Sequence, residues 1–283
     1  MDYELVTVIK PANEIWQSQK QRLQKNNGKV LSLSPSPTFN KLKSSEGVEG
    51  INLLDYLTQR ENNPDNFLFF NKIPTATTAE VFMNEDRSIS VINDGDEIGQ
   101  VTTYPETRRH VKEVKYLNFD GTTDFIEEYS DDGQLYSNIL FFNDAVHEID
   151  FYDSNQLPIV QYFFYEGQIN LVVVREKDSG KVSAKYNSLI QFLADQVASL
   201  VTEKDRVTIS YMGLELFALA KTVSHNVLYL TESPFTNTGV IKGNLLSILE
   251  NKITYINEVK MSREHYKHLV GKNISLDKIT IID

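Results

Sequence analysis

The chain has 283 residues, 41% of them hydrophobic, and a formal net charge of −11. Its length and apolar content exclude a wholly disordered chain and allow one large or two ordinary domains, while its negative charge argues against nucleic acid as the main partner. It contains no cysteine, which excludes disulfides, thiolate nucleophiles and cysteine-based metal sites and fits a reducing compartment.

The first sixty residues favour alternating strands and helices. Pro11 suits the first turn of a helix, and Asn26-Asn27-Gly28 supplies its stop. The predicted elements are a strand at 5–9, a helix from 11 to 25, a strand from 29 to 33, a Pro- and Ser-rich loop at 35–50, and a short helix at 51–58. The apolar run at the start is too short for a signal peptide or a membrane span, so we expect a soluble, cytoplasmic protein.

From Phe67 the pattern changes to short β-rich runs separated by Asp-, Asn- and Gly-containing pairs, which supply the positive φ angles of tight hairpins. A long antiparallel meander is therefore predicted. Its strands are expected at 67–73, 79–83, 88–92, 98–103, 109–118, 123–130, 134–142, 146–152, 157–165 and 168–175.

After Ser179-Gly180 helices and strands alternate again, which indicates a parallel sheet. The predicted helices are 186–201, 214–221, 242–250 and 262–270, and the strands are 206–211, 226–230, 252–256 and 278–282. The fold class is thus α/β with an all-β insertion. We assign residues 1–60 and 180–283 to a discontinuous Rossmann-like domain and 61–179 to an extended antiparallel sheet.

The segment from Tyr116 to Val174 contains no lysine or arginine but eleven acids and many aromatic residues. Acids and aromatics alternate with turn residues, which predicts an anionic, aromatic sheet surface suited to docking a protein partner rather than to catalysis. Tyr152 and Phe163 are the expected anchors. Arg108 and Arg109, followed by His110, form a cationic patch that we expect to pair with neighbouring carboxylates on the same sheet; binding of a phosphate or an acidic partner is the alternative.

Catalytic and metal-binding motifs are sparse. No dinucleotide, Walker, serine-elbow or His-Glu-x-x-His pattern occurs, and no cofactor, metal ligand or catalytic residue is predicted. His265 and His268 favour a solvated helix face over a metal site. Calcium ligation by Asp150, Asp153 and Asn155 lacks the EF-hand spacing.

In open α/β sheets, ligands bind at the carboxyl ends of the strands. Three segments are expected at that position here: Tyr211-Met212-Gly213, Thr231-Glu232-Ser233 and Asn257-Glu258. They are candidate partner- or acceptor-binding residues, with ordinary helix capping as the alternative for Thr231 and Ser233.

Three segments resemble one family. Phe69-Phe70-Asn71-Lys72-Ile73-Pro74 is similar to a Tyr/Phe-Phe-Asn-x-Val-Pro run, residues 108–121 to an Arg-x-Val-Lys-x-Val-x-Trp/Tyr-Leu-Asp-x-x-Gly stretch, and residues 227–233 to a strand ending in a Gln/Thr-Glu-Ser motif. Together they resemble, over residues 51–283, the non-catalytic, stabilising B subunit of the accessory Sec glycosyltransferase. That two-subunit enzyme attaches N-acetylglucosamine to serine-rich repeat adhesins.

The resemblance implies half of a GT-B glycosyltransferase architecture, interrupted by the extended sheet that meets the catalytic subunit. It implies a non-catalytic co-subunit that presents a Ser/Thr-rich adhesin for O-GlcNAc transfer, located in the cytoplasm or peripherally on the membrane through its complex. The family continues through a second Rossmann domain that the present sequence does not match, which favours a role without catalysis. The alternatives are an acceptor-binding half of a glycosyltransferase and an accessory Sec export component.

Overall fold

The computed structural model describes residues 1–282. The chain divides into two compact units. The parallel unit comprises Met1–Pro35, Leu42–Leu53 and the chain from Ile190 onward; the antiparallel unit comprises Ser36–Lys41 and Leu54–Leu189.

The elements follow one another in chain order as three groups. The first is β1 (Asp2–Val6), α1 (Glu14–Asn26), β2 (Lys29–Ser32), α2 (Phe39–Glu46), β3 (Glu49–Asn52) and α3 (Leu53–Thr58). The second, after a 3-10 helix at Phe70–Lys72, is β4 (Glu80–Met83), β5 (Ile89–Asn93), β6 (Asp96–Thr103), β7 (Val111–Leu117), β8 (Thr123–Tyr129), β9 (Leu135–Phe142), β10 (Ala145–Tyr152), β11 (Pro158–Tyr165), β12 (Gln168–Arg175) and β13 (Val182–Tyr186). The third is α4 (Leu189–Leu200), β14 (Arg206–Ile209), α5 (Leu214–Ala218), β15 (His225–Leu230), α6 (Gly243–Leu249), β16 (Glu258–Ser262), α7 (Arg263–Leu269) and β17 (Ile279–Ile282).

The parallel unit is built on a 7-stranded sheet in the order β17-β16-β15-β14-β1-β2-β3, and every pairing in it is parallel, as the sequence predicts. Its buried strand positions are mostly apolar, and Leu5, Leu31, Ile209 and Leu228 are fully buried. The direction of strand addition reverses between β1 and β14, because the chain leaves on one side of β1 and returns on the other. That reversal is the place where ligands of such sheets bind.

The antiparallel unit is a 10-stranded meander, β4 to β13, in which each strand pairs with its neighbours in sequence. The predicted turns hold the expected backbone: Gly95, Gly121, Gly133 and Gly167 all have positive φ angles. An apolar cluster packs around Val91, Val101 and Val114 at the β4–β8 end. The sequence therefore predicts this meander nearly strand for strand.

Several sequence expectations are wrong. The first strand is Asp2–Val6 rather than 5–9, and the loop expected at 35–50 contains α2 and the start of β3. Only Phe39 of α2 is buried, so the apolar periodicity from which a helix is predicted is almost absent there. The sheet also extends to β13, beyond the last predicted strand.

Two predicted strands do not form where they were expected. Residues 67–73 make one bridge, Phe69 to His110, and then turn into the 3-10 helix. Residues 252–256 form a turn, because the N–H groups of Lys252 and Ile253 bond to the Ser247 carbonyl. The strand follows as β16.

Candidate functional site

A pocket of about 320 Å³ lies in the parallel unit at the carboxyl ends of β1 and β14, where the strand order reverses. Its volume falls at the lower end of the range of small-molecule sites. The lining residues come from the β1–α1 loop, the first turns of α1 and the β14–α5 turn: Val6, Thr7, Val8, Lys10, Asn13, Trp16, Gln19, Tyr211, Gly213, Leu214 and Glu215.

The carboxylate of Glu215 holds the two sides of the pocket together. Glu215 is only 4% exposed, and its Oε1 accepts hydrogen bonds from the Thr7 backbone N–H (2.9 Å) and the Thr7 hydroxyl (2.7 Å). Its Oε2 accepts no bond from residues 1–282 and lies beside Gly213. One oxygen is therefore structural, and the other is available to a ligand.

Helix α1 forms one wall, and its start is fixed by local hydrogen bonds. The Asn13 Oδ1 accepts from the N–H groups of Ile15 (2.7 Å) and Trp16 (3.4 Å), which caps the helix. The Trp16 indole N–H donates to Glu46 Oε2 at 2.9 Å, and that oxygen also accepts from Lys20. These bonds orient the indole, which is 2% exposed.

One polar group of the pocket has no protein partner. Gln19 is 3% exposed and lines the pocket, and its Nε2 makes no hydrogen bond within residues 1–282. Buried amide groups are almost always paired, because an unmade bond carries the full desolvation penalty.

A buried ion pair lies one helical turn beyond Gln19. The guanidinium of Arg22 donates to both oxygens of Glu4 (2.6 and 2.8 Å) and to the Ser210 hydroxyl (3.0 Å), and stacks 4.0 Å from the Tyr229 ring centroid. Desolvation raises the pKa of Glu4 to about 7, against the opposing effect of the hydrogen bonds and charge of Arg22. This network ties α1 to the sheet beneath the pocket.

The structure brings only some of the predicted carboxyl-edge residues into the pocket. Tyr211 and Gly213 line it, and the Met212 carbonyl accepts from Asn244 Nδ2 at 2.8 Å. The Thr231-Glu232-Ser233 segment is exposed outside the pocket. There Glu232 pairs with Lys242 at 2.7 Å, and the Ser233 hydroxyl accepts from the Phe235 N–H.

The aromatic residues predicted as anchors lie on one face of the antiparallel sheet. Phe163 is directly opposite Glu148 across β10 and β11, and the Tyr152 hydroxyl interacts with Asp150, two positions along β10 from Glu148. Desolvation and the charge of Asp150 raise the pKa of Tyr152 to about 12. Both aromatic side chains are half-buried.

The most exposed aromatics are at the hairpin tips. In a meander, the β7–β8, β9–β10 and β11–β12 turns all lie at one end of the sheet. Three exposed aromatic side chains stand there, Phe119, Phe142 and Tyr165, and acids accompany them at each turn, Asp120, Asp144 and Glu166. This end matches the anionic, aromatic character that the sequence predicts.

The acids at the opposite end are structural. Asp153 is 1% exposed, and its Oδ1 accepts from the N–H groups of Asn155 and Leu157, both at 2.9 Å. Asp153, for which the sequence disfavours calcium ligation, is thus committed to its own turn. No group of three or more His, Asp or Glu side chains suited to a metal occurs among residues 1–282.

The cationic patch differs from the expected ion pairing. The side chains of Arg108 and Arg109 are exposed, and neither forms a salt bridge within the described part of the chain. His110 instead stacks on Phe67, with ring centroids 4.5 Å apart.

No helix among residues 1–282 combines the length and hydropathy needed to cross a bilayer. No protein-family model matches the chain, and no curated protein sequence matches it.

Solved structures share the fold across almost the whole chain. A chain of the pneumococcal O-GlcNAc transferase GtfA, in complex with UDP and GlcNAc, matches with a TM-score of 0.78 and 13% identity, covering 99% of this chain and 60% of that one. Accessory secretory protein 1, 2 and 3 of Streptococcus pneumoniae gives 0.75 and 14%, covering 100% and 62%. The Gap123 complex of Streptococcus agalactiae gives 0.73 and 11%, covering 100% and 60%.

At these identities the likeness establishes the fold alone, a glycosyltransferase-like fold that contains a parallel α/β sheet and a separate antiparallel sheet. The chain spans about three fifths of the length of the solved chains it matches.

Proposed function

We propose that this chain is a non-catalytic co-subunit that stabilises a glycosyltransferase in the cytoplasm and presents a Ser/Thr-rich adhesin to it for O-GlcNAc transfer. The observation that carries the proposal is the fold match over 99–100% of the chain to GtfA and to components of multi-protein accessory secretion and glycosylation assemblies. The antiparallel sheet is part of that match and supplies a surface for the partner.

The pocket supports binding rather than catalysis. Its buried carboxylate, Glu215, accepts two bonds from Thr7 through one oxygen, which fixes the side chain in place. Within residues 1–282, the lining offers Glu215 no second carboxylate and no histidine with which to form an acid–base pair. In this proposal the carboxyl edge around Tyr211 and Gly213 contacts the acceptor.

The antiparallel sheet supports docking of the transferase. Half-buried Tyr152 and Phe163 share one face with the acids of β10, and exposed aromatics mark the hairpin tips. Aromatic anchors ringed by polar groups are typical of protein interfaces. The exposed Arg108 and Arg109 provide a separate cationic contact.

A second candidate is the acceptor-binding half of a glycosyltransferase. The observation that favours it is the TM-score of 0.78 to GtfA, which is itself a transferase. A third, an export component that binds the adhesin unmodified, is favoured by the match to the accessory secretory proteins.

A reconstitution separates the three. The chain is incubated with a catalytic glycosyltransferase subunit, a serine-rich adhesin fragment and UDP-N-acetylglucosamine, and both pull-down and sugar transfer are measured. We expect sugar transfer to the adhesin to rise only when this chain and the catalytic subunit are both present. Turnover by this chain alone would establish the enzyme, and adhesin binding without any effect on transfer would establish the export component.

Interface variants locate the docking surface in the same assay. Phe163→Ser and Tyr152→Ser should each weaken transferase capture at least tenfold, about 1.4 kcal/mol, as expected of interface anchors. Phe82→Ser, an exposed aromatic on the edge strand β4, is the matched control and should bind normally. Equal loss with Phe82→Ser would show that the sheet has been destabilised rather than the contact removed.

A further inference from the structure

One exposed loop of the antiparallel unit has the composition of an O-glycosylation acceptor. Residues 74–79, Pro-Thr-Ala-Thr-Thr-Ala, contain three threonines and no charged side chain. Segments rich in Ser, Thr and Pro are typical of O-glycosylated chains. A transferase that acts on Ser/Thr-rich sequences is the partner in the function proposed above, so the loop resembles the substrate of that partner.

The loop is accessible, and its backbone lies outside the sheet. Residues 73–76 have no regular secondary structure, and Pro74, Ala76 and Thr77 are exposed. The N–H of Ala79 donates to the Ala76 carbonyl at 2.9 Å, which closes a turn around Thr77. The loop leads into β4, and among residues 1–282 no strand of the sheet lies beyond β4. An enzyme therefore reaches the loop without displacing a strand.

Thr77 has the least constrained hydroxyl of the loop. Its side chain is exposed and makes no hydrogen bond within residues 1–282. The Thr78 hydroxyl, in contrast, donates to Asn93 Oδ1 at 2.6 Å, and the Thr75 hydroxyl is buried. An acceptor hydroxyl must lie open to the enzyme, and each bond that it already makes has to be broken first. Of the three threonines, Thr77 meets this condition best.

The absence of charge around Thr77 distinguishes it from turn hydroxyls elsewhere in the antiparallel unit. Those hydroxyls donate to carboxylates at 2.6 Å: Ser88 to Asp86, Thr122 to Asp120 and Ser179 to Glu176. A nucleotide sugar carries an anionic diphosphate, and a carboxylate beside the acceptor repels it. The chain from Ile73 to Ala79 has no charged side chain, so Thr77 lacks this local repulsion.

We propose that Thr77 is an O-glycosylation site of this chain, and that the transferase it stabilises adds N-acetylglucosamine there. The inference rests on the proposed function, which supplies the enzyme and its nucleotide-sugar donor. Thr77 Oγ1 bonds to the anomeric carbon of the sugar, and the bond from that carbon to the diphosphate oxygen breaks. UDP leaves with the electron pair, and the hydroxyl proton passes to the solvent. The product is a bulky, neutral sugar next to the edge strand β4.

Mass spectrometry tests the site with the full chain. The chain is incubated with the catalytic subunit, UDP-N-acetylglucosamine and an adhesin fragment, and the intact mass of each protein is measured. We expect this chain to gain the mass of one N-acetylhexosamine, and peptide mapping to place the sugar on Thr77. A sugar on Thr78 would overturn the assignment. Sugars scattered over many positions would also overturn it, because an unfolded chain offers many hydroxyls.

Three variants assign the role of the hydroxyl. Thr77→Ala should abolish the gain in mass, whereas Thr77→Ser, which keeps a hydroxyl, should retain it. Thr102→Ala removes an exposed hydroxyl from β6 and is the matched control, so it should gain the sugar as the wild type does. Each substitution changes an exposed side chain, so we expect an unchanged Tm. An undiminished gain in mass by Thr77→Ala would overturn the proposal.

The adhesin fragment in the same reaction distinguishes failure of this proposal from failure of the proposed function. Sugar on the adhesin but not on this chain would overturn the acceptor site and leave the co-subunit function standing. Sugar on this chain alone would support Thr77 as an acceptor and contradict presentation of the adhesin. Sugar on neither protein would overturn both, because the site depends on the transferase.

Discussion

The two units place their polar groups by opposite rules. In the parallel unit most buried strand positions are apolar, with Glu4 and Asn226 among the exceptions, and polar side chains gather at the carboxyl edge, where Thr7, Gln19 and Glu215 line a pocket. In the antiparallel unit polar side chains stand on the strands themselves, and the row of Asn138, Asp150 and Gln161 crosses three neighbouring strands.

The difference follows from how each sheet is covered. A parallel sheet is packed on both faces, so its polar groups are displaced to strand ends, whereas a meander has alternating side chains and can carry polar groups along each strand. A concave site is therefore expected in the parallel unit and an extended contact surface in the antiparallel one.

The units also differ in what stabilises them. The antiparallel unit depends on Arg60, whose guanidinium donates to the carbonyls of Leu135 (2.6 Å) and Tyr152 (2.9 Å) and to the Ser130 hydroxyl (2.9 Å). This one side chain joins the ends of three strands. The segment from 116 to 174 has no lysine or arginine of its own, so Arg60, which precedes it in the sequence, supplies a positive charge that contacts it.

Arg60→Met should cause the largest loss of unfolding free energy, and it tests most directly whether the two units differ in what stabilises them. Removing the guanidinium takes a charged donor from three acceptors beside the buried acids Asp132 and Asp153, and should cost about 3–5 kcal/mol of unfolding free energy. Circular dichroism in urea should show the loss. Fluorescence of Trp16, the only tryptophan and a residue of the parallel unit, should show a smaller shift.

The exposed Arg109→Met serves as control for the loss of a positive charge. If both probes shift together by the same amount in Arg60→Met, the two units unfold as one cooperative body, and the contrast between them does not extend to stability.

Two hairpin glycines provide the next test, within the antiparallel unit alone. Gly133 and Gly167 both have positive φ angles, +78° and +74°. A Cβ on Gly133 would lie 2.3 Å from the Leu68 backbone nitrogen, whereas one on Gly167 meets nothing within 4 Å.

Gly133→Ala should therefore cost about 3 kcal/mol, from the left-handed backbone and a backbone clash together. Gly167→Ala should cost about 1 kcal/mol, from the backbone conformation alone. Urea titration of the two variants measures the difference. Equal costs would mean that the chain around Leu68 moves aside, and that this segment does not constrain the turn.

The sequence predicts the meander well because each hairpin carries its own turn chemistry. Asp120-Gly121 and Glu166-Gly167 stand where the backbone requires positive φ, so the information is local. Residues 252–256 were mistaken for a strand because their apolar content suits β structure, while the bonds that hold them as a turn come from Ser247 and Asn226. Hydrogen bonds of this kind cannot be inferred from the pattern of hydrophobic residues.

For a related reason, the sequence predicts some of the residues that line the pocket and not others. Tyr211 and Gly213 follow a recognisable strand, whereas Gln19 and Glu215 line the same pocket because β1 and β14 are neighbours in the sheet, although about two hundred residues separate them in the sequence. A signal existed in each case: Glu215 interrupts the apolar run Leu-Glu-Leu-Phe-Ala, and Gln19 occupies the buried stripe of α1. A buried polar residue at a core position of a helix is therefore an informative signal of a site.

The smallest expected effect concerns the charge of the polar row. Gln161 Nε2 donates to Glu148 Oε1 (2.9 Å) and Asp150 Oδ1 (2.8 Å), and Arg175 donates to Gln161 Oε1 (2.7 Å). Desolvation, followed by the neighbouring charge of Asp150, raises the pKa of Glu148 from 4.5 to about 7.

Because the folded state holds this proton more tightly than the unfolded chain, Glu148 stabilises the fold fully below about pH 4.5 and loses that contribution as pH rises to about 7. Glu148→Gln keeps the neutral form at every pH. The stability of the wild type relative to the variant should therefore fall across this interval, by less than about 1 kcal/mol since the site is partly solvated. Urea titrations across the interval measure it, with the exposed Glu166→Gln as control for the loss of one negative charge. A difference that rises with pH would mean that Arg175, through Gln161, outweighs Asp150, and that the row is held by opposite charges as the pair of Glu4 and Arg22 is in the parallel unit.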